Sequence, residues 1–226
     1  MSADIFYKKF IFHIASVVCV TFFLCACVYA GIIANAERVF VGASFYFLVT
    51  EDVKVEVGAE FAKLEGGAGY LLEYDGVERV TLAVYLEESE GLSVQQNLQK
   101  DGKSTALLYK GVSSLCFKGR EKQKSSLYVN GLNTFKSYIT ILKGIVDGLA
   151  KGFTQERCKS LLNIQLKQYN YAQACYSSYQ PLCEALGESA KQLSNILREV
   201  VYLKDLRYLL CWQTEKYISL CSQFSL

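Results

Sequence analysis

An uninterrupted apolar segment near the N-terminus places the strongest constraint on this chain. No charged residue occurs from Phe10 to Ala36. A helix of that length would extend about 40 Å, more than the ~30 Å hydrocarbon core of a bilayer. The segment is apolar on all sides, whereas a helix at the surface of a domain keeps a polar face. We therefore expect residues 10–36 to form a transmembrane helix, preceded by a short tail of residues 1–9.

Two other interpretations of this segment stay open. Ala34-Asn35-Ala36 has the small residues of a signal-peptide cleavage site, although the apolar stretch is longer than the about 7–15 residues usual in such peptides. Leu24-Cys25-Ala26-Cys27 distantly resembles a lipoprotein box, with Cys27 as the lipidated residue. The apolar run nevertheless continues well beyond Cys27, which favours a membrane helix.

The charges that flank the segment predict its orientation. Lys8 and Lys9 precede it and Arg38 follows it, and basic residues are enriched on the cytoplasmic side of membrane helices. We expect a single-pass protein of the cell membrane with a cytoplasmic N-terminus and its main part outside the cytoplasm.

Composition and motifs exclude several functional classes. The net charge is +2, from 24 basic and 22 acidic residues, so no electrostatic footprint for nucleic acid is present. The single histidine, His13, lies in the apolar segment, which leaves no Ser-His-Asp or Cys-His arrangement in the rest of the chain. No phosphate loop or dinucleotide fingerprint occurs. We expect a non-enzyme without cofactor or metal, although a pair of carboxylates such as glycoside hydrolases use stays open.

Residues 40–118 show the pattern of a compact module. Runs of β-branched and aromatic residues alternate with amphipathic stretches, and Asp75-Gly76 is a strong hairpin signal. The predicted elements are strands at 45–49, 70–74, 79–86 and 105–109 and helices at 53–64 and 87–100. The order β-α-β-β-α-β predicts an α+β fold of ferredoxin-like type, with a four-stranded antiparallel sheet, two helices on one face and the other face open.

This segment resembles the SPOR family, bacterial modules that bind peptidoglycan glycan strands lacking stem peptides. The resemblance lies in Phe45–Val49, in Ala59–Leu64, and in the hairpin formed by Tyr74-Asp75-Gly76 with Arg79–Tyr85. It implies a SPOR-like fold and a cell-envelope protein that binds peptidoglycan glycan, in division or sporulation. The family often has Gln in the first strand and a Gly-Ser-Phe-like turn after it. Here Leu48 and Thr50-Glu51-Asp52 stand at those places.

The same fold predicts which side chains face a ligand. Strand alternation assigns one set of residues to the core, namely Phe47, Val49, Val80, Leu82 and Val84. The open face then carries the predicted glycan-binding residues, Tyr46, Arg79, Thr81 and Tyr85. Aromatic rings and planar donors suit sugar rings, by stacking and by hydrogen bonds to hydroxyls. In the alternative interpretation, Tyr46 and Tyr85 form a cross-strand pair that only stabilises the sheet.

The remainder of the chain is predicted to be helical. A charged stretch at residues 119–126 suggests a hinge, and residues 127–226 show helical periodicity. Thr154 is a plausible N-cap, Gln180-Pro181 predicts a turn, and the last stretch forms one helix or two split near Gly187. Short connections predict a small bundle. Alternatively, its apolar stripe docks onto the module or a partner.

The nine cysteines do not form a recognisable site. No Cys-x-x-Cys pair occurs outside the apolar segment, so a zinc site has little support. Cys175 and Cys183 are equidistant from Tyr179, and a disulfide between them across a helical hairpin is one possibility.

Two functional hypotheses follow. In the first, a SPOR-like module on a membrane helix binds peptidoglycan glycan without catalysis. In the second, the module has lost glycan affinity and scaffolds a membrane protein complex with the helices. A lytic hydrolase is less favoured. An RNA-recognition module is excluded, because its basic aromatic signature is missing.

Overall fold

The computed structural model describes residues 36–51, 55–64 and 66–224. Within them the fold is α+β, with four antiparallel strands and six helices. The strands are β1 (Glu37–Thr50), β2 (Tyr70–Tyr74), β3 (Val77–Tyr85) and β4 (Thr105–Phe117). The helices are α1 (Val55–Leu64), α2 (Glu88–Lys100), α3 (Ser125–Ala150), α4 (Gln155–Cys175), α5 (Gln180–Leu197) and α6 (Leu203–Ser222), with a 3-10 helix at Gly119–Lys124.

The predicted order of elements in the module is confirmed. The sheet has the strand order β2-β3-β1-β4, so α1 and α2 each connect strands that are not neighbours. β1 and β4 are longer than predicted, since β1 already begins at Glu37 and β4 continues to Phe117. The added end of β4 is part of the core, where Leu115 and Phe117 are both buried.

The apolar segment 10–36 lies outside the described residues, apart from Ala36. Among the helices that the structure describes, none combines the length and the hydropathy needed to cross a bilayer.

The hairpin between β2 and β3 has the turn that the sequence predicts. Tyr74 and Val77 are paired, and Asp75 and Gly76 between them have φ angles of 52° and 75°. Positive φ at both central positions defines a type I′ turn, whose twist matches that of the two strands.

Replacing Gly76 with alanine should lower the free energy of unfolding by about 1–2 kcal/mol, because a Cβ is disfavoured at positive φ. No atom lies within 4 Å of the added Cβ, so the cost is backbone strain alone. Urea unfolding measures it. Gly144→Ala is the matched control: it is equally free of contacts but lies inside α3, so it should stabilise by about 0.5–1 kcal/mol. Equal effects of the two substitutions would contradict the assigned turn.

One face of the sheet packs against α1 and α2. Its core is a cluster of buried side chains that includes Leu48, Val80 and Leu82 from the strands and Ala62 from α1. Phe61 of α1 and Val94 and Leu98 of α2 pack against this cluster as partly buried side chains. This layer corresponds to the sheet-and-helix layer predicted from the sequence.

The opposite face is covered by α6, which packs along β2 and β3. The rings of Phe45 and Tyr217 meet edge to face with centroids 5.7 Å apart, and both side chains are at most 1% exposed. The Tyr70 hydroxyl donates to the Glu215 carboxylate. The expectation of an open sheet face is therefore wrong, because apolar side chains on that face have a helix of the same chain to pack against.

The four long helices share a core with each other. Tyr138 and Tyr169 meet edge to face between α3 and α4. The Tyr169 hydroxyl donates to Gln213 Oε1 of α6 at 3.0 Å and accepts from Gln165 Nε2 at 2.9 Å. Both alternatives for this region therefore describe part of the structure, since the helices pack on one another and also on the sheet.

The compact units do not follow the predicted domain boundaries. One unit combines Val39–Leu115 with Ser126–Leu226, so the predicted hinge at 119–126 does not separate a sheet domain from a helical domain. The other unit contains Cys116–Ser125 and the described residues up to Arg38. Within that unit, the Ser125 hydroxyl donates to Glu37 Oε2 at 2.8 Å.

The observed helix ends agree only partly with those predicted from the sequence. Thr154 caps α4 as predicted, accepting from the Arg157 amide at 3.3 Å. Pro181 lies in the first turn of α5, where its missing N–H has no partner to lose. The split considered near Gly187 is absent, and the last stretch divides into two helices further along the chain. A Cβ at Gly187 would lie 2.4 Å from Gln173 Nε2. The glycine allows close approach of α4, and the helix ends instead at Leu197.

All six cysteines in the described part are free, so the disulfide considered between Cys175 and Cys183 is absent. Cys183 Sγ instead donates to the Gln173 carbonyl oxygen, 3.6 Å away.

Candidate functional site

The four residues predicted to bind glycan lie on two different faces of the sheet. Tyr46 is directly opposite Tyr85, and Thr81 is opposite Val49. Opposed residues of an antiparallel pair share a face, and successive residues of a strand alternate. Tyr46 and Val49 are three positions apart, so Tyr85 and Thr81 are on opposite faces. The expected shared face is wrong, because the register shifts between Leu48 and Val49 and leaves one extra residue in β3.

Burial also makes some of these residues inaccessible to a ligand in solution. Thr81 is 0% and Tyr85 is 7% exposed. Arg79 lies on the same face as Thr81, since it is opposite Leu72 and Thr81 is opposite Tyr70. It is half-buried, and its Nε is enclosed without a hydrogen-bond partner in the described part of the chain. The direct Tyr46–Tyr85 pairing is the arrangement that the alternative, sheet-stabilising interpretation predicts.

One of the four predicted glycan-binding residues, Tyr46, lines a cleft beside β1. Its volume is about 470 Å³, which is within the range of small-molecule sites. β1 and the two residues after β3 form one wall and α3 forms the other. The lining residues are Gly42, Ser44, Phe45, Tyr46, Leu86, Glu87, Lys136 and Thr140.

Local geometry keeps this cleft open between β1 and α3. Gly42 has a φ of 44°, a conformation that glycine adopts without strain. Lys136 Nζ donates to the Gly42 carbonyl oxygen at 2.7 Å, which ties α3 to the strand at one end of the cleft. Tyr46 packs against Tyr109 of β4, with ring centroids 5.5 Å apart. Tyr109 is 54% exposed, so the pair offers ring surface to solvent.

A charged cluster lies further along the same face of α3. Lys143 is only 6% exposed. Its ammonium donates to Glu90 at 2.8 and 3.0 Å and to Asp147 at 2.7 and 2.6 Å. It also lies 5.3 Å from the centre of the Tyr85 ring. Burial, with smaller contributions from Glu90 and Asp147, raises the pKa of Tyr85 to about 12. The phenol is therefore neutral at physiological pH, and the cluster joins α3 to α2 and the sheet.

The cleft offers groups for binding and few for catalysis. It presents two aromatic rings, three hydroxyls counting that of Tyr46, an amine already engaged with the backbone, and a single carboxylate, that of Glu87. Hydrolysis of a glycosidic bond needs two carboxylates across the scissile bond. In the described ranges no group of three or more His, Cys, Asp or Glu side chains is arranged to hold a metal ion.

Sequence analysis did not identify the residues that α3 contributes. Lys136, Thr140 and Lys143 follow one another at helical spacing, and all three are polar positions beside the apolar stripe of α3. This pattern is also that of an ordinary solvated helix edge, so periodicity alone carries no signal for a site.

Comparison with known proteins identifies no relative of this chain. No family model, no curated protein and no solved structure matches this chain. The likeness to the SPOR family therefore stays a resemblance in sequence pattern.

Proposed function

We propose that this protein is a non-catalytic scaffold of a membrane protein complex in the cell envelope, whose SPOR-like module has lost glycan affinity. The observation that carries the proposal is the coverage of the second sheet face by α6. A glycan strand would have to displace that helix, and with it the Phe45–Tyr217 contact, before it reached Arg79 or Thr81. The proposal includes the single-pass anchor at residues 10–36, with the body outside the cytoplasm.

Sequence departures from the SPOR pattern support the same conclusion. Leu48 stands where the family often has Gln, and its side chain is 1% exposed in the core against α1 and α2. An apolar residue at this position suits packing better than recognition of a hydroxylated ligand.

A second candidate, saccharide binding at the cleft beside β1, is favoured by one observation. Tyr46 lines a cavity of about 470 Å³ together with Ser44 and Thr140. A ring with nearby hydroxyl groups is a combination that stacks on a sugar and binds its hydroxyls. This alternative would keep a glycan ligand but move it away from the face that the SPOR resemblance implies.

Muramidase treatment separates the two candidates. Membranes from cells that express the tagged full chain are solubilised in mild detergent, with and without muramidase, and sedimented on a gradient. A scaffold should remain in a complex larger than the free chain in both samples. A shift to the position of the free chain only after muramidase would support glycan binding instead. Sedimentation as the free chain in both samples would overturn the scaffold proposal.

A pelleting experiment with purified sacculi completes the test. We expect the full chain, in detergent, to stay in the supernatant. If it pellets, Tyr46→Ala should abolish pelleting when the cleft is the site, whereas Tyr171→Ala should not. Tyr171 is the control because it is 73% exposed and lies on α4, away from the cleft.

A further inference from the structure

A second groove lies between α5 and α6, on elements that do not contribute to the cleft beside β1. Its volume is about 310 Å³. Trp212 and Lys216 of α6 form one side, and Glu184 and Glu188 of α5 form the other. The buried side chains of Ala185 and Leu220 form its floor. An aromatic wall therefore faces an acidic wall across an apolar base.

The groove already holds a cation of the chain itself. Lys216 Nζ lies 5.8 Å from the centre of the Trp212 ring, within the distance at which a cation is attracted to an aromatic face. Tryptophan is the most favourable ring for this interaction. Lys216 is exposed, so its flexible side chain can leave the ring at little cost.

The two carboxylates opposite Trp212 can accept further hydrogen bonds from a ligand. Glu184 Oε1 accepts from Gln180 Nε2 at 2.9 Å. Glu188 lies 3.8 Å from Lys191, in a pair whose side chains are 46% and 72% exposed, and such surface pairs contribute little. A carboxylate accepts about four hydrogen bonds, so both acids can accept more. Among the residues that line the groove, one lysine stands against two glutamates, and Lys191, which pairs with Glu188, lies outside the lining.

We propose that this groove binds a small organic cation, an alkylammonium or guanidinium group, which displaces Lys216 from the face of Trp212 and pairs with Glu184 and Glu188. The ring supplies a cation–π contact, the acids supply charge-assisted hydrogen bonds, and the apolar floor accommodates the alkyl stem. A free polyamine and a basic side chain of a partner protein share this chemistry. The site goes beyond the proposed scaffold role and does not depend on it.

The sequence provides a direct reporter, because Trp212 is the single tryptophan of the chain. The full chain in non-ionic detergent is titrated with spermidine, with N-acetyl-arginine amide, and with N-acetyl-citrulline amide at constant ionic strength, while tryptophan fluorescence is recorded. We expect the fluorescence to change saturably with at least one of the two cations and to stay unchanged with the neutral citrulline analogue. Stronger binding of spermidine indicates a polyamine, and stronger binding of the arginine analogue indicates a protein side chain. No saturable change with either cation, or an equal response to citrulline, would overturn the proposal.

Three variants test the assigned roles. Lys216→Met removes the internal competitor and should tighten cation binding by about five-fold, the size of one exposed cation–π contact. Glu184→Gln combined with Glu188→Gln should weaken it by about five-fold or more. Glu60→Gln, an exposed acid of α1, should leave binding unchanged. Weaker binding by Lys216→Met, or unchanged binding by the double variant, would contradict the proposed site.

Discussion

Phe45→Ala should lower the free energy of unfolding by about 3–5 kcal/mol, the range for truncating a buried phenylalanine. Phe45 is 1% exposed and packs edge to face on Tyr217 of α6, so truncation leaves a cavity between the sheet and the helix. Urea unfolding followed by far-ultraviolet circular dichroism gives the value. Fluorescence of Trp212 reports α6 in the same experiment.

Phe40→Ala is the matched control, because Phe40 is the same residue type in the same strand but is 84% exposed. Its effect should stay within about 0.5 kcal/mol. A double-mutant cycle with Tyr217→Ala should yield a coupling of about 0.5–1.5 kcal/mol for the aromatic pair. Similar small effects of Phe45→Ala and Phe40→Ala would mean that α6 does not cover the sheet, and the argument against glycan binding on that face would fail.

Removal of both carboxylates around Lys143 should lower the free energy of unfolding nearly as much as Phe45→Ala does. The combination Glu90→Ala with Asp147→Ala leaves a buried ammonium without compensation and should cost about 3 kcal/mol. This is the lower end of the range for a broken buried pair, because the Glu90 and Asp147 side chains are 43% and 35% exposed.

Lys143→Met should cost less than about 1.5 kcal/mol, because it removes the charge and preserves most of the volume. Adding Lys143→Met to the double variant should therefore restore most of the lost stability. Chemical denaturation of the four proteins measures both effects. If the double variant is as stable as the parent, the cluster is a solvated surface pair and does not hold α3 to α2.

Local signals in the sequence predicted the elements well. Asp75-Gly76 predicted a hairpin turn, and the structure has a type I′ turn there. The strand at Tyr70–Tyr74 is reproduced to the residue, and α2 ends at Lys100, just before Asp101-Gly102. Such features depend on dihedral preferences within a few residues, so tertiary contacts are not needed to specify them.

The face assignment failed for a reason that alternation cannot reveal. Strict strand alternation places Thr81 and Tyr85 on the same face of the sheet. The register shift next to Leu48 puts them on opposite faces. All residues from Val80 to Tyr85 are buried, including the polar Thr81. A strand buried on both sides has no polar face to fix its orientation.

The candidate sites were still harder to anticipate. The cleft beside β1 requires Lys136 of α3 to reach the Gly42 carbonyl, 94 positions earlier in the chain. The groove at Trp212 requires α5 and α6 to pack side by side. Each site combines residues from separate elements that carry no functional signal individually, so only their proximity distinguishes them.

The amino-acid sequence alone determined the types and order of the elements in the α+β module, because capping, turn and periodicity preferences act over a few residues. It also specified an apolar segment at 10–36 that is long enough for a bilayer. Only the tertiary structure decided that α6 covers the second face of the sheet. Burial of that face depends on which of the four C-terminal helices reaches it, and that choice is made by packing across the whole chain.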